Sequence, residues 1–191
     1  MKELTIFLLC ILVLSVIVNK MKENKDIVQK TSRITNESFY VRKLEDSQEA
    51  VDILSKLCQR LEILTKSLQD NKSPECQRLL KRFDCSSLSE TVPGSKYTSY
   101  SVNKGEQLAI CIRNKETNAF LDMNTITFVA LHELAHVMTE EIGHTKTFWK
   151  NMKFLLEQGE KVNIYKPVDY SKSPVKYCGM TIDSSPYDFT T

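Results

Sequence analysis

The chain has no large excess of charge of either sign, because 26 lysines and arginines are nearly balanced by 24 aspartates and glutamates among its 191 residues. A net charge of +2 gives no case for a nucleic-acid-binding field over the whole molecule, although a local basic patch is still allowed. Internal repeats and low-complexity tracts are also absent. The length and the 41% hydrophobic content are typical of one globular domain with additional material at an end.

Paired cysteine motifs are missing as well. Cys10 lies in an apolar run, and the other five cysteines are an odd number without any C-x-x-C pair: Cys58, Cys76, Cys85, Cys111 and Cys178. This pattern indicates neither a complete set of disulfides nor a zinc knuckle. We therefore expect small buried thiols in a reducing compartment.

Charged residues are missing between Leu4 and Val18, and Lys2 and Lys20 flank this apolar run. A spanning helix usually needs about 20 residues, so the run is short. A cleaved signal peptide is the alternative, but the small residues expected before a cleavage site are missing. We predict an N-terminal transmembrane helix as a membrane anchor over residues 1–20, a basic juxtamembrane linker over residues 21–45 and a folded domain over residues 46–191.

The cations near the anchor are concentrated on its C-terminal side, at Lys20, Lys22, Lys25, Lys30 and Arg33. The positive-inside rule therefore predicts a single-pass membrane protein with the folded domain on the cytosolic side. Asn36 and Asn71 each begin an Asn-x-Ser sequence, which would be a glycosylation site only if the domain were lumenal.

Apolar periodicity predicts helices on both sides of a pair of strands. Residues 46–68 and 74–83 have helical spacing, with Ser73 as the cap of the second helix. Residues 97–102 and 106–113 are typical of two strands, and the second carries apolar residues on both faces, which indicates a buried strand.

Histidine is scarce, and the three histidines of the chain all fall between positions 132 and 144. A helix that begins near Asp122 or Asn124 would carry the segment His132-Glu133-Leu134-Ala135-His136. At 3.6 residues per turn, His132 and His136 lie on one helical face and can reach one metal ion. We predict a zinc site in which Glu133, on an adjoining face, takes the proton of a metal-bound water as it attacks a polarised carbonyl.

The third metal ligand has two candidates. His144 follows Gly143, a residue that can turn the chain back after a helix ends, and Thr145 would cap the next helix. Glu157 is the rival, as in thermolysin-like enzymes that use two histidines and a glutamate. We favour His144, because imidazole is the commonest zinc side-chain donor and the glycine explains its position. Glu140 lies too far from His132 to complete the site.

Aromatic residues near the motif are expected mainly in packing roles. We expect Trp149 in the core rather than in contact with substrate. Tyr165, Tyr170 and Tyr177 could stabilise an oxyanion, but ordinary packing is the expected role for each. Cys178 is expected to be a buried thiol.

The block ICIRNKETNAFLDMNTITFVALHELAHVM, followed by GHTKTFW, resembles the WLM and SprT-like zinc metallopeptidases. In that family a strand precedes the helix that carries H-E-x-x-H, and a third histidine precedes an aromatic residue. The resemblance implies that His132, His136 and His144 bind zinc, that Glu133 is the catalytic base and that Phe148 is the aromatic residue. It also implies a compact zincin-like α+β fold with helices on a small sheet.

These observations predict a membrane-anchored zinc-dependent metallopeptidase that acts on protein or peptide substrates. The alternative is a non-catalytic zinc-binding or membrane interaction module that retains the zincin fold. A structural zinc site needs no base beside it, so the presence of Glu133 favours the enzyme. DNA-associated protein substrates are implied by the resemblance alone, whereas the predicted anchor favours substrates near a membrane.

Overall fold

The structure, a computed structural model, describes residues 26–92, 94–187 and 189. Over these ranges it is an α+β protein, which confirms the predicted fold class. The sheet contains β1 (Ile27–Thr31), β2 (Ser38–Arg42), β3 (Leu88–Glu90), β4 (Tyr100–Val102) and β5 (Gln107–Ile110). The helices are α1 (Ser47–Ser67), α2 (Pro74–Arg82), α3 (Met123–Met138) and α4 (Lys146–Lys161), and a separate hairpin is formed by β6 (Val175–Tyr177) and β7 (Met180–Ile182).

The five-stranded sheet is mixed, with the strand order β1-β2-β3-β5-β4. β1 and β2 form an antiparallel pair, β3 is parallel to both β2 and β5, and β4 is antiparallel to β5. Parallel pairing of β2 with β3 requires a crossover connection, which α1 and α2 provide. Within the described ranges, β4 therefore lies at one edge of the sheet.

Side-chain caps fix the starts of three helices where the sequence predicts them. The Ser73 hydroxyl accepts a hydrogen bond from the Cys76 backbone N–H at 3.3 Å, and Asp122 accepts one from Thr125 at 2.9 Å. Thr145 accepts one from the Phe148 backbone N–H at 3.2 Å. Each bond satisfies a backbone donor that the first helical turn leaves unpaired, so these boundaries follow from local sequence.

α3 lies at the centre of the molecule, where it contacts the other three helices as well as β4 and β5. Most of its residues are buried, and Leu131, Leu134 and Ala135 are fully so. Each buried leucine side chain of this kind stabilises the fold by about 1.5–3 kcal/mol. The helix that carries the histidine motif is therefore held rigidly by packing on several sides.

The predicted linker is wrong for its C-terminal half, because residues 26–45 contain β1 and β2. Phe39 and Val41 alternate with exposed residues and are buried against α1, which covers this end of the sheet. Two apolar residues in a five-residue strand are a weak pattern, and the helix that makes the strand favourable lies further along the chain. The folded domain therefore begins before residue 46.

The predicted membrane anchor lies outside the described residues. In the part of the chain that the structure describes, no helix has the length and apolar character needed to cross a membrane.

Four cysteines are paired, so the expectation of unpaired thiols is wrong for them. Cys58 is bonded to Cys85 and Cys111 to Cys178, with Cα–Cα distances of 5.5 and 6.4 Å. The partners are 27 and 67 residues apart, and packing of separate elements brings them together, which cysteine spacing does not reveal. Cys76 is a buried free thiol, as expected.

Candidate metal centre

Three imidazoles converge beside α3. His132 and His136 project from one face of the helix, as their spacing predicts. After α3 ends, Gly143 adopts a φ of 86°, in the left-handed region that favours glycine, and the chain turns back so that His144 joins them. The Nε2 atom of His144 lies 3.1 Å from that of His132 and 3.2 Å from that of His136.

These distances fit a metal ion with tetrahedral geometry. Zn–N bonds of about 2.0–2.1 Å at tetrahedral angles place two nitrogen ligands about 3.3 Å apart. Burial, followed by the neighbouring histidines, lowers the pKa of His132 to about 3. Burial likewise lowers the pKa of His136 to about 4, so both rings are neutral at physiological pH, as metal ligation requires. Three imidazoles that open onto solvent are the donor set of a catalytic zinc site.

Glu133 lies next to the three histidines on α3. Its side chain lines the open groove beside them, although the residue is only 5% exposed. Burial raises the pKa of the Glu133 carboxyl to about 7, because the charged form is poorly solvated there. A carboxylate with that pKa is a suitable base near neutral pH.

Two aromatic residues at the start of α4 pack against the histidines. The ring of Phe148 is fully buried and lies 4.9, 4.3 and 4.6 Å from the rings of His132, His136 and His144. Phe148 therefore supports all three imidazoles from behind. Trp149, which the sequence analysis places in the core, is instead 42% exposed and lines the groove. The helical spacing places Trp149 next to the buried face of α4, but its side chain lies at the edge of that face and lines the groove.

The loop between α3 and α4 is held by a lysine from the turn between β4 and β5. Lys104 Nζ donates hydrogen bonds of 2.8 Å to the backbone carbonyls of Thr139 and Glu141. Asn151 of α4 also donates to the Thr139 hydroxyl, at 2.9 Å. Sequence reasoning missed this role of Lys104, because its partners lie 35 and 37 residues away and no local pattern connects them.

Glu140 and Glu157, the two glutamates considered as a third metal ligand, each have a cation within 4.0 Å. Glu140 forms an ion pair with Arg78, which also donates to the Met138 carbonyl at the end of α3. Glu157 is on α4, where it lies 4.0 Å from Lys153. The structure brings His144 to the histidine pair and does not bring Glu157 there.

The other aromatic candidates have different environments. Tyr165 and Tyr170 are buried beside Phe128, so packing is the role the structure gives them. The Tyr177 hydroxyl lies 2.8 Å from the Ser99 hydroxyl and donates to the Cys111 carbonyl at 2.8 Å. Together with the Cys111–Cys178 disulfide, this bond fastens the β6–β7 hairpin to the end of β5.

The metal centre opens into a groove of about 1460 Å³. Its lining comes from β4 and the preceding loop, from the loop that carries His144, and from residues 180–184 at the end of the hairpin. The histidine cluster is thus accessible to a chain segment rather than enclosed.

An α+β fold with this histidine–glutamate cluster beside an open groove defines a zinc metallopeptidase-like protein. Residues 30–180 match the WLM domain, and the chain belongs to the WLM family. The match begins within β1, in agreement with a domain that starts before residue 46.

Two viral proteins are similar over most of their length. Uncharacterized protein R325 of Acanthamoeba polyphaga mimivirus is 39% identical over 158 residues, which cover 80% of this chain and 80% of that protein. Uncharacterized protein 136R of Invertebrate iridescent virus 6 is 29% identical over 159 residues, which cover 78% of this chain and 86% of that protein.

Among solved structures, Wss1 from Saccharomyces cerevisiae is similar, with a TM-score of 0.52 and 20% sequence identity. The alignment covers 64% of this chain and 87% of the Wss1 chain. At this identity the likeness shows a common fold.

Proposed function

We propose that the protein is a zinc-dependent metallopeptidase that hydrolyses peptide bonds in the groove beside α3. The observation that carries the proposal is the convergence of three imidazole Nε2 atoms next to the buried carboxylate of Glu133. Membership of the WLM family supports the same class of protein.

The proposed division of labour follows from the chemistry of the side chains. His132, His136 and His144 would hold the zinc ion, which when bound polarises a carbonyl and makes a water molecule more acidic. Glu133 accepts a proton from the attacking water and can deliver it to the leaving amine. Phe148 keeps the three rings in place, and Lys104 keeps the loop of His144 closed.

β4 gives the groove a surface suited to a polypeptide. It lies at the edge of the sheet within the described ranges, and all three of its residues line the groove. An extended segment can add to such an edge through main-chain hydrogen bonds, which bind a peptide largely independently of its sequence. The alternative of a non-catalytic zinc module is less favoured, because a structural site usually has four protein ligands and is closed to solvent.

Membrane anchoring and cytosolic placement are also proposals, and they are supported by the apolar run and the flanking cations of residues 1–33. DNA-associated protein substrates are supported by the family resemblance alone.

The test of catalysis is the Glu133→Gln variant of the full chain, compared with Glu157→Gln as a matched change on α4. Removal of the base should lower hydrolysis of an unfolded protein substrate by a factor of about 10² or more, while zinc content by metal analysis stays near that of the wild type. The Glu157→Gln protein should keep both the hydrolytic activity and the zinc content of the wild type. Full activity in the Glu133→Gln protein would overturn the proposed mechanism.

A further inference from the structure

Exposed apolar side chains are concentrated at the groove. Of the large apolar residues that are exposed in the described part of the chain, half line it: Tyr97, Val102, Ile142, Trp149 and Met180. Single exposed apolar residues need no explanation, but a contiguous group around a concave site is typical of a binding surface.

One of these residues, Trp149, lies immediately beside the histidine cluster, and another, Ile142, lies in the loop that carries His144. The Trp149 ring centroid is 5.4 Å from that of His144 and 6.5 Å from that of His132. Ile142 precedes His144 by two residues and is 92% exposed, so it contributes almost nothing to the core. A side chain next to the scissile bond of a bound peptide would therefore lie near Trp149, and Ile142 lines the same groove.

The groove has few charged side chains compared with its number of apolar ones. Apart from Glu133 and the histidines, its ionisable lining residues are Lys96, Tyr97, Tyr100, Lys104, Tyr177 and Asp183. Lys104 is already occupied by two backbone carbonyls. The lining therefore offers an apolar peptide side chain more favourable contact than it offers an acidic or basic one.

The shape of the site favours a chain segment over a small molecule. Its volume of about 1460 Å³ exceeds the roughly 300–1,000 Å³ of ordinary small-molecule pockets. The edge strand β4 borders it and suits an extended backbone.

We infer that the groove selects extended polypeptide segments with an apolar side chain next to the scissile bond, and that Ile142 and Trp149 form the surface that receives this side chain. The inference rests on the proposed peptidase function. Apolar residues of this kind are buried in folded proteins, so the preferred substrates are unfolded or locally opened chains.

Binding is tested separately from hydrolysis, in the zinc-loaded full chain with Glu133→Gln. Fluorescein-labelled peptides that differ only by Leu, Ser or Asp at one central position are titrated by fluorescence anisotropy. Because contact with the pair removes part of a leucine side chain from water, the Leu peptide should bind roughly tenfold more tightly than the other two. Trp149 is the only tryptophan, so its fluorescence gives a second readout with unlabelled peptide.

Ile142→Ser should reduce the preference for Leu to within about twofold, because its exposed side chain can be changed without disturbing the core. Ile63→Ser is the matched control, since Ile63 is 50% exposed on α1 and does not line the groove. Trp149→Ala should act like Ile142→Ser, with zinc content measured to confirm an intact centre.

Equal binding of the three peptides, or an unchanged preference in both groove variants, would overturn the inference. Hydrolysis of an unfolded protein by the wild type would then leave the proposed function in place. The reverse result, a Leu preference in binding without hydrolysis by the wild type, supports the apolar surface and contradicts the peptidase.

Discussion

Glu133 is the residue at which stability and the proposed catalysis conflict. It is buried beside two neutral histidines, and burial raises its pKa from 4.5 to about 7. Ionising the carboxylate therefore costs free energy in the metal-free fold, while the same ionisation is what a catalytic base requires.

This conflict predicts a pH-dependent gain in stability for Glu133→Gln in the metal-free protein. Between pH 4.5 and about 7 the folded protein binds more protons at Glu133 than the unfolded chain does, so the free energy of unfolding of the wild type falls as pH rises. Glutamine has no such titration. The variant should be as stable as the wild type near pH 4.5 and more stable above pH 7, by at most about 3 kcal/mol.

The measurement is urea unfolding of both proteins in the presence of a chelator at several pH values. The shifts of His132 and His136 are present in both proteins and largely cancel in the difference. Glu157→Gln, a change at a partly exposed position on α4, is the matched control. A constant difference between Glu133→Gln and wild type across this range would contradict the raised pKa.

The third ligand is the next prediction at the residue scale. His144→Ala should lower zinc affinity sharply, because only the His132–His136 pair and water would remain as donors. Glu157→Ala should keep zinc, since its carboxylate lies beside Lys153. Zinc stoichiometry after mild chelation compares the two. Loss of zinc in Glu157→Ala with retention in His144→Ala would indicate a thermolysin-like site.

At the scale of elements, the metal centre depends on parts of the fold that are distant in sequence. α3 carries two histidines, the following loop carries the third, and the β4–β5 turn holds that loop through Lys104. Asn103 and Lys104 adopt φ values of 46° and 58°, which turn the lysine side chain out of the strand and onto the loop. The sheet edge that borders the groove is thus connected, through Lys104, to the loop that carries His144.

Lys104→Met should loosen the His144 loop without removing a ligand. The variant keeps most of the unbranched side chain but loses both bonds to the loop carbonyls, so we expect zinc to dissociate several-fold faster. Excess zinc should restore peptidase activity, because all three donors remain. Lys56→Met, an exposed change on α1, is the control. An unchanged rate of zinc release would show that the loop is held by Asn151 and packing alone.

Helices were predictable from sequence because their signals are local. Ser73, Asp122 and Thr145 cap the helices that follow them, and the H-E-x-x-H spacing places two imidazoles on one face. The strands β1 and β2 were missed, because Phe39 and Val41 gain their burial from α1. The support of the rings by Phe148 and the bonds of Lys104 were missed for the same reason, since tertiary packing creates both.

At the scale of the whole molecule, cysteine pairing and charge distribution give opposite indications of compartment. The disulfides Cys58–Cys85 and Cys111–Cys178 are typical of an oxidising environment. The cations that follow the apolar run favour a cytosolic domain, where such bonds are kept reduced. A cytosolic protein would have to fold with both pairs as thiols. Losing both disulfides would cost about 4–10 kcal/mol, a large share of the roughly 5–15 kcal/mol of a typical domain, so the fold would then depend on the core around α1 and α3.

The proposed cytosolic placement therefore predicts that the reducing cytosol keeps these four cysteines as thiols in cells, although the structure pairs them. Because all four are buried in the fold, cells are quenched with acid and the denatured chain is alkylated, which should label them. Air oxidation of the purified chain should then form both bonds. Asn36 gives an independent readout, because it is exposed in the turn between β1 and β2 and would accept a glycan in the lumen. It should remain unmodified, and protease added outside intact cells should not cleave the domain. A glycan at Asn36 together with cysteines that resist alkylation would reverse the topology, because both modifications require the lumenal side.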